Sequence, residues 1–81
     1  MKLEVLLSPN PTASQFTMVV HAPKQDAVQV RIMDVNGKTV YNAKTMPEHS
    51  LRIGESFISG VYMIEVRQGD QVKTLKAVKV Q

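Results

Sequence analysis

The chain has no cysteine and no tryptophan. Without a thiol there is no disulfide, no thiolate zinc site, no iron–sulfur cluster and no cysteine nucleophile. Two histidines, His21 and His49, and seven carboxylates leave little material for a catalytic constellation, and an enzyme is not expected. Only four aromatics are present, Phe16, Tyr41, Phe57 and Tyr62. No apolar run approaches the ~18 residues that span a bilayer. The early apolar stretch, residues 3–7, contains Glu4 and ends before Pro9. It lacks the apolar core and small-residue cleavage site of a secretory signal peptide. No lipidation signal is present either.

What remains is a chain of 81 residues, 43% hydrophobic and 21% charged. That length fits one domain, residues 1–81, and that balance argues against disorder. The net charge is +3. Its densest basic stretch is Lys73, Lys76 and Lys79, without the interleaved aromatics of a nucleic-acid surface. Exposed lysines on an edge strand also discourage edge-to-edge aggregation. Nucleic acid is therefore not an expected partner.

The dominant period is two. Phe16, Met18, Val20 and Ala22 alternate with more polar neighbours, as do Val28, Val30 and Ile32, and again Tyr62, Ile64 and Val66. Alternation of this kind gives a strand one buried face. No 3.6-residue period persists for three turns. Turn residues punctuate the runs: Pro9-Asn10-Pro11, residues 23–26, Asn36-Gly37, Pro47, Ser59-Gly60 and Gly69-Asp70. Asn-Gly predicts a type I′ hairpin, in which both central residues take positive φ. Strands are expected near residues 3–7, 15–22, 27–35, 38–43, 49–54, 61–68 and 71–80. Seven short strands at this spacing predict an all-β, immunoglobulin-like β-sandwich. In the last strand Val72, Val78 and Val80 share one phase while Leu75 and Ala77 take the other. A bulge near Thr74 or Lys76, or a strand covered on both faces, accounts for such a pattern.

Several motifs resolve into plain structure. Asp34-Val35-Asn36-Gly37 opens like a calcium loop, but Lys38 stands where another oxygen ligand is needed; it reads as a hairpin whose turn Asp34 caps. His21 and His49 lie on different runs without carboxylates at ligand spacing, so no metal site is expected. Gly54-Glu55-Ser56-Phe57-Ile58 lacks the second glycine of a nucleophile elbow. Glu48, Glu55 and Glu65 suggest no acid–base pair around a sugar cleft. Pro11 breaks the glycosylation rule at Asn10.

Taken in order, Ser8-Pro9-Asn10-Pro11-Thr12, the run from Val28 to Val40 with Asp34, Gly37 and Lys38, Ser59-Gly60-Val61-Tyr62, and the closing run from Lys73 to Val80 form a pattern. It resembles the type A C-terminal sorting domain of cargo proteins of the type IX (Por) secretion system of Bacteroidota. The likeness covers about residues 5–80, and the order and spacing of the pieces carry it. The resemblance implies a seven-stranded sandwich attached behind a larger cargo, whose own signal peptide takes it into the periplasm. An outer-membrane translocon then reads the domain. A sortase-like surface protease removes it, often coupling the cargo to anionic lipopolysaccharide, or the domain is retained as a surface-attachment module. The cargo becomes secreted or cell-surface, and no cofactor is implied. Residues 1–7 are then a first strand or a linker remnant.

Pro9, Asn10, Pro11, Asp34, Gly37, Lys38, Gly60 and Tyr62 are the motif residues, with Gly37 expected at positive φ and Gly60 expected to set the register of the sixth strand. Lys73, Lys76 and Lys79, read as exposed charges, are the candidate translocon contacts. An immunoglobulin-like adhesion or glycan- or protein-binding module without a sorting role is the alternative. Exposed strand edges suit either reading, since strand addition recognises backbone. A homodimer through such an edge is compatible with the sequence, and nothing in the sequence calls for it.

Overall fold

The computed structural model describes residues 2–80, and these contain seven strands and no helix. The strands are β1 (Glu4–Ser8), β2 (Phe16–His21), β3 (Val28–Met33), β4 (Thr39–Thr45), β5 (Leu51–Ile53), β6 (Gly60–Gln68) and β7 (Gln71–Lys79). They form two antiparallel sheets, ordered β1-β2-β5 and β4-β3-β6-β7. This is the expected β-sandwich. The fourth strand pairs with the third, whereas a constant-type immunoglobulin domain places it beside the fifth.

Alternation in the sequence becomes burial in the sandwich. Phe16, Met18 and Val20 of β2 face Val28, Val30, Ile32, Ile64 and Val66 of the larger sheet, all at most 1% exposed. Register keeps these in rows: Ile32 lies opposite Ile64, which lies opposite Leu75, and Val30 lies opposite Val66. Each fully buried Val, Ile, Met or Phe contributes about 1.5–3 kcal/mol over its exposed state. A one-residue slip would turn a whole row to solvent, so burial itself fixes the register.

Two expectations about strands and turns are corrected. β7 pairs with β6 without a break from Gly60–Lys79 to Gln68–Gln71, so it holds no bulge, and its second face is open, with Val72 42% exposed. Its apolar residues split because Leu75 and Ala77 take the core phase while Val72 and Val78 stand on the outer face beside Arg67 and Val61. The one register shift lies instead between β3 and β4, after Ile32, where Val40 is skipped. The turn at Asn36-Gly37 is not type I′, because only Gly37 has positive φ (83°). Asp34 organises it: its carbonyl accepts from Gly37 N–H at 3.0 Å, and its Oδ1 accepts from the N–H groups of Asn36 (2.9 Å) and Lys38 (3.0 Å). One carboxylate thus replaces the turn chemistry of a second left-handed residue. Gly69 (φ 60°) opens the two-residue loop between Gln68 and Gln71, as a type II′ turn requires.

Candidate functional site

The motif residues lie far apart in the chain and gather at one end of the sandwich. After β1 the chain leaves the smaller sheet through Pro9-Asn10-Pro11, with the Ser8–Pro9 and Asn10–Pro11 bonds cis, and crosses to the outer edge of β7. There the Asn10 side chain acts like a strand residue. Its Nδ2 donates to the Lys76 carbonyl and its Oδ1 accepts from Val78 N–H, both at 2.9 Å. Thr12 continues the pairing through backbone alone: its N–H donates to Val78 O at 3.0 Å and its carbonyl accepts from Val80 N–H at 2.8 Å. Prolines at 9 and 11 cannot donate, so the asparagine amide supplies the donor that the prolines lack. The Thr12 side chain is buried, donating to Gln15 O and accepting from Ser14 N–H.

On the inner side of the same stretch, Tyr62 stands opposite Ala77. Its ring stacks on Phe57 at 4.6 Å, and its hydroxyl donates to Ile58 O at 2.6 Å. A buried tyrosine needs such a partner for its polar tip. Gly60 pairs with Lys79 at the start of β6. The Asp34–Lys38 turn adjoins residues 58–62 across a shallow groove of about 170 Å³.

The three lysines do not form one patch. Lys76 lies opposite Met63 on the outer face, and Lys73 lies opposite Val66 in the core phase yet remains exposed, near the open end of the strand. Lys79 is 6% exposed, and its Nζ donates to the carbonyls of Gly54 and Glu55 (3.1 Å to the latter). The expectation that all three are exposed charges is therefore corrected for Lys79. Lys79 shares the phase of Leu75 and Ala77, but so does the exposed Lys73, so parity alone does not tell the two apart.

Four further residues, Gly54, Gln68, His21 and Glu48, take structural roles that the sequence alone does not assign. Gly54 sits at φ 88°, and a Cβ there would lie 2.9 Å from the Phe16 ring. Gln68, also buried, donates to the carbonyls of Lys24 and Asp26 and accepts from Lys24 N–H, fastening the β2–β3 loop. His21 Nδ1 meets Glu48 Oε2 at 2.6 Å, and this contact with the Glu48 carboxylate raises the imidazole pKa above its usual 6.5. Glu48 takes φ 70°, held by its N–H donating to Val20 O. None of these long-range partners has a local sequence signal. Among the described residues no group of three metal-ligating side chains comes together.

The arrangement binds the front and the back of the chain into one unit, with two motifs seated against β7 and a third adjoining them. The family of secretion-system C-terminal sorting domains matches residues 7–81. The chain belongs to that family. It is a type IX sorting domain with a β-sandwich fold, of a family defined by a sorting signal and not by a catalytic activity. No curated protein matches the sorting domain. A sorting domain implies an attached cargo, machinery of the type IX system that receives it, and a secreted or cell-surface destination for the cargo.

Proposed function

We propose that the outer-membrane translocon reads this sorting domain as a folded object, centred on β7 and the Asn10–Thr12 segment that closes its edge. The convergence of the motifs on the last strand carries the reading: only the folded chain presents Asn10 and Lys76 side by side. Lys73 and Lys76 are the exposed cations of that strand and are the proposed recognition contacts, while Lys79 holds the strand end in place. After passage, a sortase-like protease removes the domain, with anionic lipopolysaccharide as the eventual anchor of the cargo, or the domain stays as the attachment module.

The test is fusion of residues 1–81 behind a signal-peptide-bearing reporter in a type IX-competent bacterium. The reporter should reach the surface or medium, and should stay in the periplasm of a strain lacking the translocon. Export that is unchanged in that strain overturns the reading. Lys73→Gln with Lys76→Gln should reduce export while melting stays the same, because exposed strand charges change stability by within about 0.5 kcal/mol. Full export of that variant would remove these two lysines from the address.

A further inference from the structure

The net charge of the chain is confined to one surface. Cross-strand register places Lys44, Gln29 and Arg67 side by side across β4, β3 and β6, and Asn42, Arg31 and Glu65 in the next row. Lys76 joins the same outer face from β7. Four cations against the single carboxylate of Glu65 leave +3 there, while the other six Lys/Arg and six Asp/Glu of the chain cancel. The outer face of the four-stranded sheet therefore carries the whole imbalance of an otherwise neutral molecule.

Glu65 does not quench it. Arg31 and Arg67 flank its carboxylate at 3.8 and 3.9 Å, beyond hydrogen-bonding distance. Arg31 also donates to the Met33 thioether at 3.2 Å, whereas the Arg67 fork keeps its carboxylate-binding geometry free. Among the described residues no carboxylate lies within ion-pair distance of Lys44 or Lys76. At one end of the face a pocket of about 310 Å³ is lined by Lys44, Arg67, Gln29, Ala27 and Gly69. At the other, Met33 and Met63 lie opposite one another with Met63 38% exposed.

We infer that this face docks an acidic stretch of polypeptide, with Lys44 and Arg67 taking one of its carboxylates in the pocket. A carboxylate matches the Arg67 fork beside the Lys44 ammonium, and the Gln29 and Asn42 amides between the cations can bond a partner's backbone. The exposed methionine edge supplies the adaptable apolar contact that a protein partner uses. No aromatic residue stands on this face, since Tyr41 and Tyr62 share the core phase of Ile32 and Ala77. That absence removes both the stacking platform of a nucleic-acid surface and the aromatic anchors of a membrane interface. The inference goes beyond the sorting reading, and its binding arm does not depend on it.

The probe is a hexaglutamate peptide blocked at both ends, titrated into the isotope-labelled domain. Amides of Gln29, Arg31, Lys44, Arg67 and Gly69 should shift together and saturably, with affinity falling as salt shortens the reach of the charges. Lys44→Glu with Arg67→Glu should weaken binding by about tenfold or more, whereas Lys24→Glu, off this face, should change it less than about twofold. Lys44→Gln with Arg67→Gln gives the milder version if the reversed pair perturbs folding. Shifts scattered over Lys2, Lys24, Arg52 and Lys73, or equal loss in the Lys24 variant, would overturn the inference. So would tighter binding to anionic phospholipid vesicles than to the peptide. In the export assay the glutamine pair should lower surface delivery of a reporter that the unaltered domain exports. If the unaltered domain exports nothing, the sorting reading fails while the titration still decides this one.

Discussion

The two edges of the four-stranded sheet are treated in opposite ways. β4 leaves its outer edge unpaired, guarded by Lys44, Asn42 and a bulge at Val40. β7 has the C-terminal half of its edge filled by Asn10 and Thr12 and its end tied down by Lys79. Bulges and lysines are the usual means of blunting an edge without covering it. Covering it with chain from residues 10–12 does more: it joins segments some 66 residues apart, so β7 cannot fray without breaking contact with the front of the domain. A strand built in this way is a rigid feature, whereas β4 is only a protected one.

The comparison can be broken first at the support beneath β7. Gly54→Val adds a side chain where φ is 88° and the Phe16 ring leaves 2.9 Å. Left-handed strain of about 1–3 kcal/mol and overpacking of about 1–3 kcal/mol should act together. For a domain whose whole stability is about 4–12 kcal/mol, urea denaturation should show the largest loss here. Melting equal to the unaltered protein would contradict the close packing of Gly54.

Next comes Lys79→Gln, which shortens the buried cation away from two carbonyls. Hydrogen bonds to a charged group contribute about 1.5–3 kcal/mol, so the melting temperature should fall clearly, unlike that of the Lys73 and Lys76 variants. A fall no greater than theirs would return Lys79 to the exposed set.

Asn10→Ala is expected to be milder, about 0.5–1.5 kcal/mol for each hydrogen bond lost, since the freed groups reach water. Its sharper readout is hydrogen exchange. The Val78 amide should exchange much faster in the variant, while amides of β4 stay as they were. Equal protection at Val78 in both proteins would mean that Asn10 does not close the edge.

The smallest effect concerns a contact remote from both edges. His21 has its pKa raised by Glu48, so the pair stabilises the fold fully below the unfolded histidine value of about 6.5 and loses that contribution as pH rises through the higher folded value. His21→Gln should therefore lower melting more at pH 6 than at pH 8.5. A pH-independent difference would show that the ion pair contributes nothing.

Alternation was enough to place β2, β3 and β6, because a half-buried strand must repeat every two residues and Phe16, Val30 or Ile64 cannot face water as a row. The turn residues between the runs marked off the other strands. The turn at Gly37 was also legible, although its type was not. A single Asp34 carboxylate meets the N–H groups of Asn36 and Lys38, and that substitution of a side chain for backbone twist has no signature beyond the aspartate itself.

Sequence alone therefore determined the strands, the punctuation and the order of motifs that marks the family, because these depend on local period and turn chemistry. Tertiary structure decided which lysine is buried, that Asn10 completes the edge of β7, and that the net charge collects on one sheet face. Those depend on register between segments distant in the chain, and register is settled only when the two sheets close over a common core.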